Sequence, residues 1–186
     1  MSAASDLRHF QCANIEAFDK ILSKVLTDCL PGDIMALRKV YEGGNMSIPI
    51  NIDDLINQRV VESTRIEFKS DWNPNPIIHS ICAFANDIDN VGGGYIIIGV
   101  EDENGSPVFP VKGIKQDRID GILKELIGFC HCIEPLYNPV VEPILFQGVY
   151  IIVVWITGGY GRPYKASKDV FTEKSNKLYY IRKFSS

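Results

Sequence analysis

Polar and apolar residues alternate between Arg65 and Lys69, which is the two-residue period of a strand with one buried face. The pattern directs Ile66 and Phe68 inward and leaves the polar side chains on the other face. Further along, the run from Tyr95 to Val100 is almost wholly apolar and is bounded by glycines, which is typical of a strand covered on both faces. This second strand delivers acidic residues at its C-terminal end.

The stretch between these two strands has the residue spacing of an amphipathic helix. Asn75 is the predicted cap and Pro76 the predicted first residue of the helix, because the first helical position needs no N–H. Apolar residues then recur at three- and four-residue steps, which indicates a stripe facing a core. The stripe consists of Ile77, Ile81, Phe84, Ala85 and Ile88.

A second amphipathic helix is predicted beyond Asp117, which lies near its start. Its apolar positions are Ile119, Ile122, Leu123, Leu126, Ile127 and Cys130. A short helix capped by Asn51 is expected before the first strand, and a turn at Glu103 to Gly105 is expected to lead into an extended piece at Val108 to Val111.

Two strand-like runs, Val140 to Phe146 and Val149 to Trp155, are separated by Gln147-Gly148, which predicts a hairpin. Pro143 indicates that the first of these strands lies at a sheet edge. Lys177 to Arg182 is the last predicted strand. Together the elements predict a mixed α/β (α+β) fold with a largely antiparallel sheet, two main packing helices and an N-terminal helical extension.

Residues 46–186 are the predicted main domain, for which Met46 is a natural start. Residues 1–45 are either a short helical extension or a stretch that precedes the real start of the protein. The apolar face of the extension needs a partner, either this domain or a second copy in a homodimer. Its helical spacing rests on Ile15, Phe18, Leu22, Val25, Leu26 and Cys29.

Composition indicates an ordinary globular protein. A chain of 186 residues is long enough to bury a sizeable core. No apolar run approaches the roughly 18 to 20 residues that a membrane helix requires, and the start of the chain does not resemble a secretory signal. The five cysteines are odd in number and unevenly spaced, which favours free thiols in a reducing cytoplasm.

The net charge of −4 argues against a protein whose whole surface is basic enough to attract nucleic acid. The charge is, however, unevenly distributed along the chain. From Tyr160 to the end, seven basic residues stand against two acidic ones, a local charge of +5. Tyr160, Tyr164, Phe171, Tyr179 and Tyr180 are interleaved with them. Such a mixture can hold a phosphate backbone and stack bases. A solvated charged face on an ordinary strand and loop is the alternative.

Several motifs, in order, resemble the Schlafen-type AlbA-like domain over roughly residues 50–186. They are Glu62 to Lys69, Cys82 to Asn86, Gly93 to Asp102, Arg162-Pro163-Tyr164 and Tyr179 to Arg182. The resemblance implies a DNA-binding domain of prokaryotic transcriptional regulators, a family that also carries ATPase and helicase labels. Relatives usually continue past the position of Ser186, so the resemblance implies either a minimal stand-alone version or a longer regulator with a separate effector domain.

The resemblance also implies a second chemistry. In Schlafen relatives with nuclease activity, acidic residues at the positions of Glu62, Glu67 and Asp102 form a metal-dependent RNA-cleaving site. Three carboxylates would suit Mg²⁺ or Mn²⁺, which prefer oxygen ligands, with Lys69 beside the phosphate. The alternative is that Glu62 and Glu67 pair with Arg65, Lys69 or a helix terminus and serve only structure.

Three other features of the sequence do not indicate a nucleotide, zinc or catalytic site. Gly92-Gly93-Gly94 enters a strand rather than a helix and lacks the P-loop pattern, so a tight turn explains it better than a nucleotide cradle. Cys130-His131-Cys132 has no second ligand pair at zinc spacing. His79 lies off the apolar stripe of its helix, which favours an exposed or edge position.

The sequence therefore leads to a nucleic-acid-binding module of a transcriptional regulator, located in the cytoplasm. The predicted phosphate contacts are Arg65, Lys69, Arg162, Lys165, Arg182 and Lys183, and the predicted stacking groups are Tyr164 and Tyr180. A metal-dependent endoribonuclease is the first rival. A protein-interaction module that dimerises through residues 1–45 and binds no nucleic acid is the second.

Overall fold

The computed structural model describes residues 48, 50–57, 63–172 and 175–183, which belong to the compact unit Ser47–Ser186. The helices in these residues are α1 (Ile52–Ile56), α2 (Pro74–Asn86) and α3 (Gln116–Cys130), and a 3₁₀ turn at Ser63–Arg65 precedes the first strand. None of the described helices has both the length and the apolar character that crossing a membrane demands. The predicted extension at residues 1–45 lies outside the described residues, so dimerisation through it stays a prediction.

Nine strands form one main sheet and two small ones within the described residues. They are β1 (Ile66–Lys69), β2 (Gly94–Ile98), β3 (Asp102–Glu103), β4 (Ser106–Pro107), β5 (Ile133–Glu134), β6 (Val140–Phe146), β7 (Val149–Ile156), β8 (Lys165–Ser167) and β9 (Lys177–Tyr179). The main sheet has the order β1-β2-β7-β6, in which only the β1–β2 pair is parallel. The small sheets, β3-β4 and β5-β8-β9, are antiparallel, and the predicted mixed, largely antiparallel class is confirmed.

The main sheet is buried on both faces. Ile96 and Ile98 of β2 pack with α2 and α3, whereas Tyr95 and Ile97 pack on the opposite face with Leu55 of α1. Successive residues of a strand point to opposite faces, so a nearly continuous apolar run is what a central strand between two layers requires. The prediction that this strand is covered on both sides is confirmed.

Helix α2 begins two residues before the predicted start. Asn73 is the cap and Pro74 occupies the first turn, while Asn75 lies inside the helix and accepts a hydrogen bond from the Val170 amide at 2.8 Å. The prediction of Asn75 and Pro76 was wrong because two Asn-Pro pairs occur in succession. Both prolines fit a first turn, where no N–H needs an intrahelical partner.

Three other boundaries also differ from the sequence pattern. Ile88 lies beyond the end of α2 and is exposed, so it does not extend the apolar stripe. The chain returns from the turn after β3 at β4, earlier than predicted. Strand β9 ends at Tyr179, so the residues up to Arg182 leave the small sheet and run past the edge of β1 instead.

Two turns follow the predictions. Gln147 and Gly148 join β6 to β7 with φ values of 48° and 84°, and β6 lies at a sheet edge, where Pro143 is tolerated. Gly93 turns the chain into β2 with φ of 75°, and a Cβ there would meet the Ile156 carbonyl oxygen at 2.0 Å. Close approach of two backbones therefore accounts for this glycine.

Candidate functional site

Arg182 joins the C-terminal segment, residues 180–183, to the free edge of β1. Its guanidinium donates to the backbone carbonyls of Thr64 at 2.9 Å and Ile66 at 3.4 Å, and it lies 5.0 Å from the centre of the Phe84 ring. Strand β1 is the outermost strand of the main sheet, so its outward carbonyls have no strand to pair with. Arg182 satisfies the Ile66 carbonyl of β1 and the Thr64 carbonyl of the 3₁₀ turn before it, and thereby holds the segment in place.

The carboxylate of Glu67 lies at the centre of an ion-pair cluster on the same edge. It accepts hydrogen bonds from the Ser80 hydroxyl at 2.8 Å and the Lys69 ammonium at 2.7 Å, and it also accepts one from Arg182. The side chains of Glu67, Arg182 and Lys69 are 12%, 17% and 29% exposed. A carboxylate so far removed from water depends on these two cations for its charge compensation.

These residues line an open groove of about 390 Å³, which we name the Arg182 groove. Its walls are Glu67 and Lys69 of β1, His79, Ser80 and Ala83 of α2, and residues 180–183. A smaller pocket of about 180 Å³, the Arg65 pocket, adjoins it through Ala83, Arg182 and Lys183 and contains Asp87 and Asp89. Three basic side chains face one carboxylate in the larger groove, and in the described chain Lys183 has no ion-pair partner.

Two stacked aromatic rings form part of the groove wall. The rings of His79 and Tyr180 are 4.1 Å apart and inclined by 10°, and both side chains are half-buried. The His79 ring is fixed by a 2.9 Å hydrogen bond between Nε2 and the Ser167 carbonyl. Burial raises the pKa of the Tyr180 phenol above its ordinary value.

Asn86, at the end of α2, ties the groove to the core. Its buried amide nitrogen donates to the carbonyls of Tyr164 at 2.9 Å and Tyr180 at 2.8 Å, and its oxygen accepts from the Tyr164 amide at 2.7 Å. One side chain thus fixes two chain segments that are remote in sequence. Sequence reasoning gave Asn86 no role, because both of its partners are backbone groups that carry no sequence signal.

Among the predicted phosphate contacts, Lys69, Arg182 and Lys183 are brought together in the Arg182 groove. Arg65 lies in the adjoining pocket, where its guanidinium donates to the Gly92 carbonyl at 3.0 Å and the Gly93 carbonyl at 2.9 Å. It therefore secures the glycine turn while lining the pocket.

The remaining predicted contacts lie outside the Arg182 groove. Arg162 donates to the Asp87 carbonyl at 3.1 Å, and Lys165 of β8 lies 5.9 Å from the centre of the Tyr179 ring. Tyr164, a predicted stacking group, is only 5% exposed. Its hydroxyl accepts from the Gly161 amide, so in this conformation the ring is a core side chain.

The three predicted metal-binding carboxylates occupy unlike places. Glu62 lies outside the described residues, Glu67 is held by Lys69 and Arg182, and Asp102 accepts from the Gly105 amide in the exposed β3–β4 hairpin. No group of three His, Cys, Asp or Glu side chains in the described part of the chain could hold a metal ion. Lys69 and Arg182 neutralise Glu67, and Glu62 lies outside the described residues, so a metal site on the three carboxylates stays a prediction.

The described cysteines are free thiols, and none of them forms a ligand group. Burial raises the pKa of Cys82 to about 11 and that of Cys130 to about 12, which keeps both protonated at neutral pH. The Cys132 thiol donates to the Val170 carbonyl at 3.8 Å. These three cysteines are packing residues, whereas Cys12 and Cys29 lie outside the described residues.

Two solved structures are similar to this chain. The N-terminal domain of a RecG-related protein from Nitrosomonas europaea, solved by NMR, is 25% identical with a TM-score of 0.47, and the match covers 72% of this chain and 88% of that one. The DIP2311 protein from Corynebacterium diphtheriae is 17% identical with a TM-score of 0.49, over 73% of this chain and 29% of that one. No curated protein matches the chain.

A family model identifies the family. The model of the family described as Schlafen, AlbA_2 matches residues 62–186, which include β1, the groove and the C-terminal segment. The chain belongs to the Schlafen, AlbA_2 family. This membership makes it a nucleic-acid-related domain.

Proposed function

We propose that this domain is a nucleic-acid-binding module that contacts DNA phosphates in a transcriptional regulator. The observation that supports it most directly is the convergence of Lys69, Arg182 and Lys183 on one groove beside the half-buried Tyr180 ring. These residues come from β1 and from a segment more than a hundred positions later. A basic groove with an aromatic wall is the usual means of holding a phosphate backbone and a base.

The local charge supports phosphate binding although the chain as a whole carries −4. Phosphate attraction acts over about 8–10 Å at physiological ionic strength, so the charges in the groove outweigh distant acids. Lys183 is exposed and offers the most accessible ammonium, whereas Lys69 and Arg182 share the carboxylate of Glu67. Arg65, Arg162 and Lys165 would act at the margins of the bound strand.

Retardation of labelled duplex DNA and tRNA over a range of salt concentrations tests this proposal. About three phosphate contacts predict that log K falls with log salt with a slope of about −2.7 on duplex DNA. Lys183→Ala is expected to weaken binding and to reduce the slope by about 1. Lys124→Ala, which removes an exposed lysine of α3, is the matched control and is expected to leave both unchanged. Absence of binding at low salt, or binding that ignores salt, would refute the proposal.

The same samples test the metal-dependent endoribonuclease that the family resemblance also implies. That activity requires Glu62, Glu67 and Asp102 to share Mg²⁺ or Mn²⁺. In the described residues, the Glu67 carboxylate instead forms ion pairs with Lys69 and Arg182. Incubation with Mn²⁺ and with EDTA is expected to leave the tRNA intact. Cleavage that needs Mn²⁺ and disappears in Glu67→Gln would replace the binding proposal with an enzymatic one.

A further inference from the structure

We infer that the Arg182 groove binds one unpaired nucleotide of a single strand, with its base against the Tyr180–His79 stack and its phosphate at Lys69 and Lys183. This inference rests on the proposed function and names the form of nucleic acid that the site takes. It is carried by the aromatic wall, the size of the groove and the pairing of its polar groups.

The aromatic wall is rigid before any ligand arrives. Tyr180 is fixed through its carbonyl by Asn86 and through its ring by His79, and His79 is fixed by the Ser167 carbonyl. A stacked pair that lines a groove can continue the stack with a third ring at little cost in conformational entropy. Such a surface accepts a base only when the face of that base is free.

The size of the groove selects a single nucleotide. A volume of about 390 Å³ lies near the lower end of the roughly 300–1,000 Å³ that pockets for single small ligands occupy. In a duplex, each base is paired and stacked on its neighbours, so its face is unavailable without the cost of flipping it out. The adjoining pocket contains the exposed Asp89, which disfavours a broad contact with a second phosphate strand.

The polar groups of the groove predict little preference among bases. The Ser80 hydroxyl donates to Glu67, and the carboxylate of Glu67 is shared by Lys69 and Arg182. Groups that are already paired gain little by exchanging these bonds for bonds to a base edge. Recognition through stacking is tolerant because every base has an aromatic face.

Fluorescence anisotropy on the full chain tests the inference with three labelled probes. They are oligothymidine, the same strand with abasic sites, and a duplex of equal length. We expect the single strand to bind tightest and the abasic strand to bind about fivefold or more weaker, since stacking on an aromatic side chain contributes that much per base.

Tyr180→Leu should abolish the difference between oligothymidine and the abasic strand, because leucine keeps apolar bulk but lacks a ring to stack on. Tyr179→Leu is the matched control, since the neighbouring Tyr179 ring is 61% exposed and lies beside Lys165 rather than in the groove. Circular dichroism verifies that both variants fold. The comparison of the strands on the unmodified protein decides the question even if Tyr180→Leu does not fold.

Each outcome separates the inference from the proposed function. Equal affinity for base-bearing and abasic strands, or duplex binding as tight as single-strand binding, would overturn the inference and leave phosphate binding intact. A difference between strands that survives in Tyr180→Leu would also overturn it. Failure of all three probes to bind at low salt would refute the proposed function itself.

Discussion

Replacement of Glu67 by glutamine is expected to lower stability and raise nucleic-acid affinity at the same time. The substitution keeps an oxygen that can accept the Ser80 hydrogen bond but removes the charge that Lys69 and Arg182 share. The two cations then face each other without compensation. Lys69 and Arg182 also become free to bind an external phosphate.

The magnitude follows from burial. Removing one partner of a fully buried ion pair costs about 3–5 kcal/mol, and an exposed pair contributes about 0–1 kcal/mol. With Glu67 12% exposed and Lys69 29% exposed, we expect a loss of about 2 kcal/mol in the free energy of unfolding. For a chain of this size, this lowers Tm by about 4–8 °C. Loss of one negative charge beside the phosphate should strengthen binding by about 1 kcal/mol, roughly fivefold.

Thermal unfolding and anisotropy with oligothymidine measure the two effects on the same preparation. Glu101→Gln is the matched control, because Glu101 pairs with Lys112 at 3.2 Å and both side chains are more than half exposed. Its expected cost is about 0.5 kcal/mol or less, with no change in affinity.

Two results would refute this reasoning. Equal Tm values for Glu67→Gln and Glu101→Gln would show that the cluster does not hold the C-terminal segment on β1. A fall in affinity together with stability would show that Glu67 assists binding instead of competing for the cations.

Three further predictions concern the core around the site. Asn86→Ala strands buried backbone groups of Tyr164 and should cost about 3 kcal/mol, measured by urea unfolding, whereas a cost below about 1 kcal/mol would contradict the hydrogen-bond network. The raised pKa values of Cys82 and Cys130 mean that, in alkaline solution, the folded state holds protons that the unfolded state releases. The free energy of unfolding should therefore fall as pH rises from about 9 through 11 to 12. Both thiols should also resist alkylation near pH 8 unless the chain unfolds. Gly93→Ala should unfold the β2 entry, since its φ of 75° and a contact at 2.0 Å exclude a methyl group, and native-like Tm would refute this.

Local patterns predicted the elements but were ambiguous at their ends. The alternation at Ile66 and Phe68 and the turn at Gln147-Gly148 each report on a few neighbouring residues, and the structure confirms both. The first residue of α2 could not be predicted from the sequence, because Pro74 and Pro76 suit a first helical turn equally well. The contact of Asn75 with Val170, which lies 95 residues away, contributes to the structure that was adopted.

In the candidate site, too, the sequence predicted individual residues but not how they are arranged. Its cations Lys69, Arg182 and Lys183 could be predicted from the sequence as basic residues within family motifs. Their convergence could not, because Arg182 reaches Glu67 across 115 positions. The same holds for Tyr164 and Tyr180, which look alike in the sequence although one is buried in the core and the other lines the groove.

The sequence by itself determined the periods of the strands and helices, the fold class and the motifs that define the family, since each depends on residues within one element. Only the tertiary structure decided that Glu67 is an ion-pair partner of Lys69 and Arg182 and that His79 stacks on Tyr180. Those contacts depend on where the C-terminal segment crosses β1 and α2. That crossing is set by the packing of the whole domain, for which no short stretch of sequence carries a signal.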